Sequence, residues 1–264
     1  MDPIASFKEA QRNGWASFIP FEIVTTTAAA RLVSFAGVAK GQRVLDVGCG
    51  TGVVAVTAAQ RGAEVVGLDL TPQLLVRAKE NAQIAGMKIT FEEGDCEALP
   101  FPDASFDAVL SQFGHMFAPR PDVAVKEMLR VLKPGGVIAF STWPPELMTG
   151  RMFAMIATYL PPPPPGIAAP PQWGDVGIVR ERLGSAVTGL RFDRGTMPAP
   201  AMSPEHFRDF AERFAAPVQR AMGSLKDEPA KLARFRKEFD ELIREYFTDN
   251  FVRQDFLMTR AIKA

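Results

Sequence analysis

Residues 44–52 read Val-Leu-Asp-Val-Gly-Cys-Gly-Thr-Gly, a short apolar run that ends in alternating glycines. Glycines directly after a buried strand permit a tight turn and let a ligand approach bare backbone, and a helix starting there offers amides without intrahelical partners. Two familiar loops share this design. The dinucleotide-binding loop asks for a third glycine where this chain has Val53, and the phosphate-binding loop asks for lysine followed by serine or threonine, which are absent. Asp46 separates the chain further from both. A carboxylate beside the turn repels a pyrophosphate and attracts an ammonium or sulfonium centre.

The pattern around this turn predicts an open α/β fold. A helix over residues 21–37 with Gly37 as its stop leads to a strand at 43–47, a helix to about Gln60 and a second strand at 64–68 ending in Asp69. Thr71 and Pro72 start the next helix as cap and first-turn residue. A third strand near 88–92 ends in Glu93-Gly94-Asp95, and a fourth at 106–110 opens into a loop over 111–120. A helix over 122–131, a turn at Lys133-Pro134-Gly135-Gly136 and a fifth strand over 137–143 follow. Helix-length crossovers make the early strands parallel, cover both sheet faces and place the binding crevice at the strands' C-terminal ends. Asn13, Gly14, Trp15 and Phe18 read as a flexible entrance ahead of the first helix.

After Trp143 the rhythm breaks. Pro161–Pro165 form a polyproline-like stretch that suits either the rim of a cap or a ligand for another protein, and Phe153, Tyr159 and Trp173 favour the cap by supplying apolar anchors. A sixth strand at 187–193, a helix capped by Ser203 with Pro204 first and His206 third, a helix over 228–246 and a late strand at 256–262 complete the chain. The boundaries implied are 1–40 as an N-terminal lid or entrance, 41–143 as the ligand-binding core, 144–186 as a proline-rich cap and 187–264 as the segment that completes the sheet and pocket.

Thirty basic and thirty acidic side chains balance, so no net field draws the protein to nucleic acid or an anionic membrane. Cys49 and Cys96 are the two cysteines, too few for a disulfide framework or a cysteine-rich metal site, and a reducing, cytoplasmic location fits them. Asp2, Lys8 and Glu9 stand where a signal peptide needs a basic start and an apolar run, and no run of 18 apolar residues occurs; neither export nor a membrane span is expected. Oligomeric state, monomer or homodimer, is left open by the sequence.

Asp69 lies 21 residues after Gly48 at a strand end, where its two oxygens are placed to accept from paired hydroxyls. Asp95, one strand further, is placed to accept from an exocyclic amine, with Cys96 and Glu97 beside it. Four segments then carry a resemblance: VLDVGCGTG at 44–52, VVGLDLT at 65–71, GDCEALPFPDASFD at 94–107 and EMLRVLKPGG at 127–136. Together with the closing FLMTRAIKA they make the chain resemble class I S-adenosylmethionine-dependent methyltransferases, especially the ubiquinone and menaquinone C-methyltransferase branch and its small-molecule relatives.

The resemblance implies a Rossmann-like sheet of seven strands, mostly parallel with an antiparallel last strand, helices on both faces and a small cap. It implies S-adenosylmethionine as cofactor, S-adenosylhomocysteine as product and no metal. Asp46 and Gly48, Cys49, Gly50, Thr51 and Gly52 would surround the cofactor's methionine part. Asp69 with Leu70 would hold ribose, and Gly94, Asp95, Cys96 and Glu97 would hold adenine. Ser111 and Gln112 would face the crevice near the methyl group.

For the acceptor, Trp15, Phe18, Phe113, Trp143 and Trp173 are the expected aromatic walls, and the abundance of Phe and Met suits an apolar or aromatic small molecule. His115, just past the fourth strand, is the candidate general base, since a histidine is able to accept a proton near neutrality; its apolar neighbours Phe113, Met116 and Phe117 favour instead a residue that lines or plugs an apolar pocket. An RNA or protein methyltransferase, a noncatalytic cofactor-binding scaffold and a nicotinamide-dependent oxidoreductase are the competing readings.

Overall fold

In the computed structural model, which describes residues 3–264, the alternating runs become one sheet between two helical layers. Helix α1 (Pro3–Gly14) and a short 3-10 helix (Trp15–Phe21) precede α2 (Glu22–Ala36). Then follow β1 (Arg43–Val47), α3 (Val53–Gln60), β2 (Glu64–Asp69), α4 (Pro72–Ile84), β3 (Thr90–Glu93), β4 (Phe106–Gln112), α5 (Pro121–Val131) and β5 (Leu132–Thr142). Helix α6 (Met148–Ala157) and α7 (Val176–Leu183) flank the proline stretch. Strand β6 (Val187–Pro200), helices α8 (Pro204–Phe214), α9 (Ala216–Leu225) and α10 (Pro229–Arg244), and strands β7 (Phe247–Thr248) and β8 (Phe251–Lys263) end the chain.

The strand order is β3-β2-β1-β4-β5-β8-β6. Neighbours from β3 to β5 are parallel, and β8 runs antiparallel between β5 and β6. This is the expected mixed sheet with one addition: the two-residue β7 pairs with β8 through a hairpin turn at Asp249-Asn250. Both turn residues have positive φ, the geometry that a tight hairpin requires and that Asp and Asn tolerate.

Alternation along the strands divides the core. Val44, Val65, Ala108 and Ala139 face the layer of α2, α3 and α4. Their neighbours Leu45, Val109, Ile138 and Phe140 face the other layer, which contains α5 and continues into α6–α10. Gly37 ends α2 in the left-handed region, and Ser203 Oγ caps α8 by accepting from the His206 amide, both as read from the sequence. Thr71 sits at the cap position of α4, but its hydroxyl makes no capping bond.

Several segments differ from expectation. Residues 13–18 are helical, because α1 runs to Gly14 and the chain tightens into the 3-10 helix. No residue of α1 is buried; charge pairs hold it, Lys8 to Asp95 and Glu97 and Arg12 to Glu93. Asp2 lies outside the described residues. By length and composition the helical run from Pro3 to Ala36 is long and apolar enough to cross a membrane. Its α2 part instead buries Val24, Ala28, Leu32 and Val33 in the protein's own core. Strands β6 and β8 extend well beyond 187–193 and 256–262, since their pairing continues from Val187↔Lys263 to Pro200↔Phe251.

The turn after β4 determines where His115 goes. Phe113 adopts φ +60 and the next residue is glycine, so the chain reverses and buries His115 completely, at 0 % exposure. Its ring lies 4.6 Å from that of Phe140 and 4.7 Å from that of Trp173. Neither ring nitrogen has a hydrogen-bond partner. Burial, with the Arg182 guanidinium adding to it, pushes the imidazole down to about 3. The ring is therefore neutral at pH 7, for a packing reason, and the role of general base at the crevice is corrected to that of an apolar plug. Trp173, expected as a pocket wall, is buried against it.

The sign of the resulting pH dependence follows. Below the unfolded value near 6.5 the unfolded chain takes up a proton that folded His115 refuses, so stability is full above about pH 6.5 and falls as the pH drops toward 3. His115→Phe removes this loss. Relative to wild type and to its own value at pH 7, the variant should gain about 2 kcal/mol at pH 5, from roughly 1.4 kcal/mol per pH unit. Urea melts at the two pH values check this; equal pH dependence would show that the imidazole protonates in the fold.

Candidate active site

The principal cavity opens at the C-terminal ends of β1 to β5, where an open α/β sheet binds ligands. Its floor forms where the turns after β1 and β4 touch. A Cβ on Gly48 would lie 2.8 Å from Gly114 Cα, and one on Gly114 would lie 2.6 Å from the Gly48 carbonyl oxygen. Gly50, at φ +53, has nothing within 4 Å of where a Cβ would sit, so no side chain screens this part of the turn. Gly52 does not line the cavity; it lets α3 start close against Ala78 and Phe91.

Asp69 joins two of the turns. Its Oδ2 accepts from the Gly50 amide and its Oδ1 from the Thr71 amide, both at 2.8 Å. Burial raises its pKa, opposed by these same amides. Asp46 is placed differently from expectation. It lies under the turn at 1 % exposure and off the cavity wall, with Oδ2 accepting from the Ala55 amide at 3.0 Å and Oδ1 unpartnered. Burial pushes its carboxyl up to about 8, with Asp69 adding to the shift, so it orders the start of α3 and presents no full charge to a ligand.

At the next strand end Asp95 Oδ1 accepts from the Glu97 amide at 2.8 Å, and Oδ2 holds Lys8 Nζ at 2.5 Å. Glu97 is not a wall either. It is buried beneath, where it binds Lys8 and the Arg120 backbone and side chain. Ser111 is also behind the wall: its hydroxyl donates to the Val47 carbonyl at 2.6 Å and accepts from the His115 amide. Gln112 does reach the cavity. Its Nε2 donates to the Thr25 carbonyl at 2.9 Å, while its Oε1 is buried without a partner.

The structure thus gathers Gly48, Cys49, Gly50, Thr51, Asp69, Leu70, Gly94, Asp95, Cys96 and Gln112 at one end of the cavity. Trp15, Phe18, Phe113 and Trp143 line the rest, with Phe113 and Trp143 stacked at 3.9 Å. Burial raises the thiols of Cys49 and Cys96 above the usual range, so neither is held as a thiolate.

Sequence reasoning missed Lys8 and Gln11 on α1, Met148 and Met152 on α6, Phe207 on α8, and the facing pair Met197 and Gln254. The i, i+4 spacing of Met148 and Met152 was a readable signal for one helix face. Nothing local marks the pair on β6 and β8, because their pairing spans most of the C-terminal region.

Comparison with known proteins agrees with this geometry. The family described as "Methyltransferase domain" matches residues 45–140. An uncharacterized protein of Mycobacterium tuberculosis is 38 % identical over 233 residues, covering 88 % of this chain and 85 % of the relative. The demethylmenaquinone methyltransferase of Thermus thermophilus is 42 % identical over 106 residues, covering 39 % of this chain and 48 % of that enzyme. Among solved structures, the YcgJ protein from Bacillus subtilis superposes with a TM-score of 0.59 at 20 % identity, over 90 % of this chain and 98 % of that one. The [4+2]-cyclase SpnF does so with a TM-score of 0.53 at 22 % identity, over 89 % and 79 %. These two likenesses concern the fold, which evidently serves more than one reaction. With the family match and the extended identity to the mycobacterial protein, the chain belongs to the methyltransferase-domain family and is a class I S-adenosylmethionine-dependent methyltransferase.

Proposed function

We propose that the enzyme methylates a small, apolar or aromatic molecule held beside S-adenosylmethionine in this one cavity. The observation that carries the reading is the cavity's division: acceptor oxygens and glycines at the strand turns, aromatic rings and methionines under the helices. The residues at the turn end fit the cofactor. Gly50 leaves open space beside the turn, Gln112 Oε1 lacks a donor, and the Asp69 and Asp95 carboxylates line the cavity as acceptors.

In this reading Asp69 takes the ribose hydroxyls, Asp95 and the Cys96 backbone hold adenine, and Gly48–Thr51 with Gln112 hold the methionine part. When bound, S-adenosylmethionine supplies the activated methyl group. The chain's own part is alignment and the exclusion of water. Trp15, Phe18, Trp143, Met152 and Phe207 shield the acceptor from solvent, and no ionisable side chain lines that half among the described residues. Orientation therefore carries the rate, and because no ionisable side chain lines the acceptor half, the proton that the acceptor gives up as the methyl group arrives passes to water at the cavity mouth.

The roof of α6, α8 and the 3-10 helix favours a small molecule over an RNA or protein chain, which needs an open trench. Residues 144–186 act as part of that roof in this reading, and the cytoplasm suits the two free cysteines. The demethylmenaquinone enzyme supports an aromatic acceptor, but its likeness covers less than half of either protein and does not carry its substrate across.

Calorimetry with S-adenosylmethionine and S-adenosylhomocysteine tests the reading. Both should bind, and Asp69→Ala should weaken both by about tenfold or more, the cost of a lost hydrogen bond to a charged group. Mass spectrometry on a panel of phenols and hydroxynaphthalenes should then show products heavier by one methylene unit. No binding of either ligand to folded wild-type protein would overturn the proposal.

A further inference from the structure

The acceptor half of the cavity contains one polar group that the fold gives no reason for. Gln254 lies on β8 in a row with Val252, Phe256 and Met258, residues that share its strand face and are fully buried. Across the ladder its partner is Met197, also buried. Gln254 itself is only 6 % exposed and lines the cavity, and among the described residues its side-chain amide makes no hydrogen bond to another side chain or to the backbone, so what it meets is whatever occupies the cavity. An amide facing an apolar cavity costs free energy if an apolar ligand displaces its water without bonding to it, and packing alone would be served by another methionine or leucine.

The rest of that half limits what can bond to it. Phe113 stacked on Trp143, with Trp15 and Phe153 on other sides, presents flat aromatic faces. The charged side chains of the cavity, Lys8, Asp69 and Asp95, all stand at the turn end, and Lys8 is already spent on Asp95 and Glu97. A charged acceptor would lose its hydration here without compensation.

We infer that Gln254 is the specificity-determining residue of the acceptor half, and that the acceptor is an uncharged aromatic molecule whose hydroxyl or carbonyl group pairs with its amide. The inference rests on the reading of this cavity as a cofactor site joined to an acceptor site. It adds which side chain selects the acceptor and by what chemistry.

Three naphthalenes of similar shape test it on protein saturated with S-adenosylhomocysteine: 2-naphthol, 2-methylnaphthalene and 2-naphthoate. Wild type should bind 2-naphthol about tenfold more tightly than the other two, the discrimination expected when one buried hydrogen bond is made or lost. Gln254→Leu should bring the preference over 2-methylnaphthalene to about twofold or less and leave S-adenosylhomocysteine affinity unchanged. Gln254→Met, which matches the opposite residue, repeats the measurement should the leucine variant fold poorly. A preference that persists in the variants, tight binding of 2-naphthoate, or no naphthalene binding by the loaded wild type overturns this inference alone. Failure of the wild type to bind S-adenosylhomocysteine overturns the cofactor reading and this inference with it.

Discussion

Two glycines in backbone contact hold the site together. Gly48 ends β1 and Gly114 follows β4, and any side chain on either would push the two turns apart. Because they touch, the glycine turn, the Asp69 carboxylate and Gln112 meet at one floor. The same closeness forces the chain after β4 to reverse at Phe113, which sends its ring to Trp143 and buries His115. The floor of the cavity and the packing beneath it are thus one event, and the aromatic wall of the cavity follows from a backbone constraint at the glycine turn.

Electrostatics follow from the same arrangement. Asp46 and Asp69 lie close together under and beside the turn, both with raised pKa, mainly through burial. Asp69 retains backbone amides on both oxygens, whereas Asp46 has one oxygen unpartnered and is driven to its neutral form. One acid therefore remains available to a ligand while its neighbour orders a helix. Lys8 brings α1 over the same end: burial works against its charge, yet Asp95 and Glu97 raise its pKa. The outermost helix has no fully buried residue and is tied to the cavity by these charge pairs and by Gln11 Nε2, which donates to the Phe117 carbonyl.

The legible part of the molecule was the part governed by local pattern. Short apolar runs ending in Gly48, Asp69 and Asp95 identified the parallel strands, and strand ends are where an α/β sheet places its ligands. What escaped was set by distant contacts. His115 stood in sequence beside the crevice, and only the left-handed Phe113 turned it inward. Glu97 and Ser111 neighbour true wall residues, but alternation and the turn geometry direct them behind the wall. Helix α1 lacks a buried stripe and could not be seen by periodicity, and Gln254 gains meaning only opposite Met197 across a long antiparallel ladder. Local chemistry was thus readable at the strand turns, and the aromatic half of the cavity depends on how the C-terminal strands return to the sheet.

The most direct measurement is a crystal structure of the protein with S-adenosylhomocysteine. The account predicts ribose oxygens within hydrogen-bond distance of Asp69, adenine beside Asp95 and Cys96, and the sulfur directed past Gln112 toward Trp143, with His115 still enclosed between Phe140 and Trp173. A ligand seated elsewhere, or one whose sulfur points away from the aromatic half, would contradict the division of the cavity on which the functional reading stands.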